Sequence, residues 1–341
     1  MKSQYLHICA LALASITMIS QAHADTPQPE VDVKKLKPLE DNKEVFIGDF
    51  RVTFIMKDSV SATAKDPNFM RGGDATDFAK SNLEASLTGV PEPVMQSIAD
   101  DAFTHFTARL KAQGYVVLDN AQLDEIKDWR KLKRTDSPSK AAGNNAPGLG
   151  GLLKKSAKES DQLTFSPSGM PLIEKSAGNV MPYKYGAVAE KAGKPIIRAD
   201  YRVHFAYFGK DTDYQIDYAA VDITGSARET LTASTSVGQG IQVIPGSEIH
   251  VTVDGGGTFT KSGYATLRDS IVVGGDYGKN LDTTSGANKA ANAFSSAVGL
   301  LSGGSSKTVE ISIQAVPEVY AAGATKALEL ANEALISALP Q

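Results

Sequence analysis

Three histidines, His105, His204 and His250, lie beyond the first 24 residues and are the side chains best suited to proton transfer or metal ligation near neutral pH. No two stand at a metal-ligand spacing, and neither a His-Glu-x-x-His pattern nor a cysteine partner accompanies them. The single cysteine, Cys9, falls within the N-terminal leader, so the remainder of the chain offers no disulfide or thiolate nucleophile. Serine chemistry lacks its frame too: there is no G-x-S-x-G elbow, and Ser166-Pro167-Ser168-Gly169 sits in a stretch of loop composition. Glycoside chemistry needs two carboxyl groups ~5–10 Å apart. Asp100-Asp101, and Asp49 near Arg51, supply carboxylates, but the first pair is expected to face water. Asp211 and Asp213 resemble part of a calcium loop without its central glycine and closing glutamate, so a turn is expected there. Gly148-Leu149-Gly150-Gly151 has no preceding strand pattern and no phosphate-loop Lys-Ser/Thr, and Arg71-Gly72-Gly73-Asp74 reads as a turn. Catalytic residues are therefore unknown at this level, and no cofactor-binding or metal residue is assigned.

Two features point to contact rather than chemistry. Tyr201, Phe205, Tyr207, Phe208, Tyr214 and Tyr218 form an aromatic group that suits core packing, a partner or ligand face, or a strand of an outer-membrane barrel. The run Arg130-Lys131-Leu132-Lys133-Arg134 reads as a solvated helix end. With a formal net charge of −4, the 341-residue chain gives no electrostatic reason to expect nucleic acid as a partner.

The elements that must position these residues begin after a leader. Lys2, an apolar run over 8–19 and Ala22-His23-Ala24 predict a signal peptide over 1–24, because an apolar core of about 12 residues is short of the ~20 a helix needs to cross a bilayer. A flexible tether is expected over 25–44. Residues 45–57 alternate with Phe46, Gly48, Phe50, Val52, Phe54 and Met56 on one face, which predicts a strand. Another follows near 82–87. Met95, Ile98, Ala102, Phe106 and Leu110 predict a helix over 91–113, closed by Gly114. A short strand at 115–118 and a second amphipathic helix through Leu123, Ile126 and Leu132 come next. A disordered insertion is expected at about 136–169. From about 197 the chain is β-rich: a hairpin 201–207/214–220 turning at 209–213, then strands near 228–233, 241–244, 248–254, 264–273 and 308–315. Helices are expected at 285–301, striped by Ala287, Ala291, Phe294, Val298 and Leu301, and at 319–339.

The order of the strand from Phe46 to Met56, the helix ending before Gly114, the strand Tyr115-Val116-Val117-Leu118-Asp119 and Gln122-Leu123 opening the next element resembles the small α/β module of the curli-secretion channel family and the related penicillin-binding-protein activator lipoproteins. The similarity covers 45–129, the segment 201–223 and the closing helix. It is carried by element order rather than by a diagnostic motif. The chain departs from that pattern in lacking the lipoprotein cysteine and in its insertion.

The expected fold class is α+β, a mixed or antiparallel sheet with helices packed on one side and a β-rich extension over 45–341. The expected role is an exported cell-envelope protein, periplasmic or secreted, that acts as a noncatalytic assembly or partner-binding module, through an envelope protein partner or self-assembly. An envelope polymer or glycan hydrolase using carboxylates, and an oligomeric envelope pore, are the alternatives; membrane association is left open.

Overall fold

The computed structural model describes residues 29–65, 78–139, 162–174, 182–221, 227–255, 261–302 and 304–341. The leader and most of the expected insertion lie outside the described residues. In chain order the elements are β1 (Val31–Lys34), β2 (Glu44–Ile55), β3 (Lys57–Lys65), β4 (Phe78–Thr88), α1 (Glu92–Ala112), β5 (Val116–Val117), α2 (Lys127–Arg130), β6 (Arg134–Thr135), β7 (Gln162–Phe165), β8 (Leu172–Ile173), α3 (Pro182–Ala192), β9 (Ile196–Val221), β10 (Ala227–Val243), β11 (Glu248–Asp254), β12 (Lys261–Leu267), β13 (Ile271–Gly274), β14 (Gly278–Asp282), α4 (Gly286–Ser302), β15 (Gly304–Ala315) and α5 (Pro317–Ser337). The class is α+β with a strong β bias, as expected.

The larger sheet runs β1-β12-β11-β9-β10-β13, with β2 pairing parallel to β9 and in turn carrying β5 and β7. The smaller runs β14-β15-β4-β3, with β15 and β4 parallel. The two sheets share a corner: β2 leaves β9 after Ile55, and the chain continues almost at once as β3 of the second sheet.

The helix of 92–112 buries the stripe foreseen for it, Met95, Ile98, Ala102, Phe106 and Leu110. Gly114, at φ +84°, closes it, and the Tyr115 N–H returns to the Leu110 carbonyl at 3.0 Å. This helix packs with α5, where the Asn332 amide donates to the Ala102 carbonyl at 3.0 Å. Together they cover one apolar face of the large sheet, formed by Ile47, Phe50, Val52, Phe54, Ile197, Ala199, Tyr201, Val203 and Ile249. A second, smaller cluster of Phe46, Leu123, Trp129, Tyr185, Val188 and Ile196 includes α3, which the sequence pattern did not announce.

Strict alternation along β2 fails at one residue. Ile47 pairs with Ile197 but Asp49 with Arg198, so Gly48 is the extra residue of a bulge. The bulge places Ile47 and Phe50 in one core while Phe46 joins the other. The expected face of Phe46, Gly48, Phe50 and Val52 is thereby corrected. A Cβ at Gly48 would lie 2.5 Å from Ile196 Cγ2, so Gly48→Val is expected to lower stability by about 1–3 kcal/mol, read as a shifted denaturant midpoint at unchanged slope.

Other expectations are corrected by the same structure. The tether region contains β1, antiparallel to β12, and buried Leu36 and Leu39. Its close approach is allowed by Gly263, where a Cβ would sit 2.3 Å from the Lys35 carbonyl oxygen. Within the insertion, β7 pairs with β2 and Phe165 is buried. The second amphipathic helix is a 3-10 stretch over Asn120–Glu125 followed by the single turn α2. No turn forms at 209–213: β9 runs through it to Val221 and pairs with β10, in which the strands foreseen near 228–233 and 241–244 are one. Gly209 serves a different end, since a Cβ there would meet Ser236 Oγ on the facing strand at 2.5 Å.

Burial pushes the Tyr115 hydroxyl up to about 12 and raises Tyr201, Tyr277 and Tyr320 as well. Unfolded tyrosines ionise near pH ~10, so the stability these groups contribute is complete below that value and is lost as pH rises through their folded values. Alkaline titration should show their phenolate absorbance emerging together with loss of fold, not before it.

Candidate functional site

The large sheet turns a polar face away from α1 and α5, and its residues fall in rows across the strands. One row is Asp49, Arg198, His250, Tyr264 and Lys34; the next is Arg51, Asp200, Glu248, Thr266 and Asp32. Where the rows begin, charges of opposite sign alternate both along and between β2 and β9. Asp49 and Arg51 are each 5% exposed and form an ion pair. Arg51 also donates to the Ile173 carbonyl at 2.8 Å, and the Arg198 guanidinium lies 4.3 Å from the Tyr185 ring centre. Burial raises the Asp49 carboxyl above its ordinary value, while Arg51 pulls it back down. Toward β1 the face opens: His250 Nε2 meets Glu248 Oε1 at 2.8 Å, Thr266 donates to the same carboxylate at 3.3 Å, and Lys34 lies over the Tyr264 ring. Arg51, Arg198 and Lys34 stand among Asp49, Asp200, Glu248 and Asp32, so most of the charge is matched within the face, which suits a structural layer.

The histidines are not brought together. His204 is buried, with Nδ1 accepting from the Ala206 N–H at 3.1 Å and Nε2 3.0 Å from Asp58 Oδ2. An accepting Nδ1 places the proton on Nε2, so the ring donates to Asp58 and ties β9 to β3. His105 Nδ1 lies 3.3 Å from the Asn332 amide, between α1 and α5. Among the described residues, no group of three or more histidine, cysteine or acidic side chains is arranged to hold a metal ion.

Asp100 does not simply face water. Its carboxylate accepts from the Ser168 N–H at 2.7 Å, the Ser168 hydroxyl at 2.8 Å and Gln96 at 3.0 Å, fixing the loop after β7. Asp211 and Asp213 accept from Thr212 and Gln215 along β9, not in a turn. The basic run is solvated as expected: Arg130, Lys131, Lys133 and Arg134 are exposed, with Lys131 paired to Asp128 and Arg134 over the Trp129 ring, while Leu132 is buried.

A pair of carboxylates that sequence reasoning missed lies on the smaller sheet. Glu84 and Glu310 are direct neighbours on β4 and β15 and line a groove of about 360 Å³ with Lys57, Ser86 and Thr283. Only the strand register brings them together, since they stand far apart in sequence. Both are engaged: Glu84 with Lys57 at 2.7 Å, Glu310 with the Ser285 N–H at 3.0 Å and the Asn288 amide at 2.6 Å.

The remaining candidate is the β9–β10 ribbon. Pairing of β9 with β11 ends at Asp200 and with β2 at His204, and pairing of β10 with β13 ends at Gly240. Beyond those points the two strands pair with each other as far as Val221 and Ala227. At ~3.3 Å per residue, 205–221 extends about 50 Å. The aromatic group divides along it. Tyr201 and Phe205 are fully buried, Phe208 is half-buried, and Tyr207 is 50% exposed with its ring lying across Gly238 and Gly240. Tyr214 and Tyr218 keep their places in the strand, but their side chains lie outside the described residues. Asp211, Asp213, Gln215, Thr232, Ser234 and Ser236 are exposed.

Among the described residues, no helix is long and apolar enough to cross a membrane. Compared with protein-family models, curated proteins and solved structures, the chain matches none.

Proposed function

We propose that this is an exported protein of the cell envelope that acts as a noncatalytic assembly or partner-binding module through its β9–β10 ribbon. The observation that carries the proposal is the ribbon's reach: two strands continue well past their sheet neighbours and present exposed Ser, Thr, Asp and Gln side chains. Extended edges of this kind are templates for pairing with another chain. The commitment of Asp49, Asp100, Glu84 and Glu310 to internal partners supports a binding role over carboxylate hydrolysis.

An oligomeric pore is the second reading. It draws on the position of the β3–β4 end beside the ribbon, where Ser81 and Thr235 hydroxyls meet at 2.8 Å, and on the pairing of Phe78 with Gly304 at the same end.

The test is the molar mass of chain 25–341 by light scattering without detergent, alongside a variant in which 211–234 is replaced by an Asn-Gly turn. A discrete oligomer that falls to monomer on shortening would support self-assembly through the ribbon. A wild-type monomer whose envelope partners are lost on shortening would support a foreign partner. A shortened variant that keeps the same mass and the same co-purifying proteins would count against both.

A further inference from the structure

Helix α4 is tied to the smaller sheet through polar side chains. Ala287 and Ala291, which begin the stripe read from the sequence, are exposed; the side chains of Phe294, Val298 and Leu301 lie outside the described residues. Hydrogen bonds join side chains of residues 284–295 to the backbone of β15. Asn292 donates its amide to the Thr308 carbonyl at 2.6 Å and accepts from the Thr308 N–H at 2.7 Å. The Ser306 N–H donates to Ser295 Oγ, and the Glu310 N–H to Thr284 Oγ1 at 3.0 Å.

These groups lie along one edge of the sheet. β14 pairs with β15 only from Ile311 to Ala315, so the outer edge of residues 306–310 has no β14 strand residue opposite it. Every second backbone N–H on that stretch, at Ser306, Thr308 and Glu310, bonds a side chain of residues 284–295. The Asn292 carboxamide supplies one donor and one acceptor to a single residue, as the backbone of an antiparallel strand would.

We infer that the outer edge of β15 over residues 306–310 is a strand-addition site, covered in this state by α4, and that its partner is an extended polypeptide segment of alternating apolar and polar residues. The alternation follows from the sheet itself. On one side of β15 stand Thr308 and Glu310 beside Asn82 and Glu84, and on the other Val309 and Ile311 beside Leu83 and Ala85. A strand added next to β15 must match a polar surface with one set of side chains and an apolar one with the other. Over residues 286–293, where Ala287 and Ala291 are exposed, this cover buries less apolar surface than α1, whose stripe is buried in the core, and that part opens at lower local cost. This goes beyond the ribbon reading and uses a different surface, so either can fail without the other.

The test uses chain 25–341 and a fluorescent eight-residue peptide of alternating valine and threonine with a terminal lysine. Asn292→Ala removes both bonds to Thr308. It is expected to bind the peptide about tenfold more tightly than wild type and to speed hydrogen exchange at Ser306, Thr308 and Glu310. The absence of cysteine after Cys9 makes a lock possible. Ser295→Cys with Ser306→Cys should bind nothing when oxidised and recover wild-type binding on reduction. A peptide with proline at alternate positions, lacking the N–H groups, should fail with every variant. Equal peptide binding by the oxidised lock and by Asn292→Ala, or no binding by Asn292→Ala in a folded protein with unprotected Ser306, Thr308 and Glu310 amides, would overturn the inference.

Discussion

Arg51→Leu is expected to cost about 3–5 kcal/mol of stability, because it leaves Asp49, whose side chain is 7% exposed, as an uncompensated buried charge. It also removes the donor to the Ile173 carbonyl, which ties β8 to the face of β2. The double variant Asp49→Leu, Arg51→Leu should regain most of that loss, since apolar replacement of a buried ion pair is often neutral. Acid offers an independent check. A carboxyl raised by burial contributes stability that is present below its ordinary value of ~4 and lost as pH rises through its folded value. The deficit of Arg51→Leu relative to wild type should therefore shrink as pH is lowered from neutral toward ~4. Urea titrations across that range measure it; a deficit independent of pH would mean that Asp49 is not the group left stranded.

Phe50→Ala is expected to cost a similar amount, about 3–5 kcal/mol, by opening a cavity at the junction of the sheet and α1. Phe50 is fully buried, and its ring centre lies 5.2 Å from Phe103, 5.3 Å from Phe106 and 5.4 Å from Tyr201. Thermal unfolding should shift down by on the order of 10 °C, with reduced near-ultraviolet dichroism from the loosened rings. A change under about 1 kcal/mol would mean that the site collapses around the smaller side chain.

These two neighbours on β2 also show what could be read before the fold was known. Helix α1 was legible because its stripe, proline start and glycine stop all agree. The strand at β2 was legible too, but its faces were not. A glycine between Ile47 and Asp49 fits regular alternation, and only pairing with Ile197 and Arg198 reveals the bulge. Strand β9 reads in the sequence as two shorter strands because Gly209 and its polar neighbours have turn composition, whereas their role is set by the strand opposite. The carboxylates Glu84 and Glu310, like the bonds from α4 to the edge of β15, join segments more than ten residues apart. No local periodicity carries such juxtapositions. His204 illustrates the same limit: alternation places it on a strand, and its burial is set by the second sheet, which folds over that end of β9.

The proposed role of the ribbon is tested most directly by placing a photo-crosslinking amino acid at Asp211 or Thr232, both exposed on its flanks, and at Lys326 on α5 as a control, then irradiating intact envelopes. Discrete adducts from the two ribbon positions, to a second copy or to one envelope protein, and none of the same mass from position 326 are the predicted result. Ribbon positions that give no adduct beyond the control, in a folded and exported protein, would contradict the account.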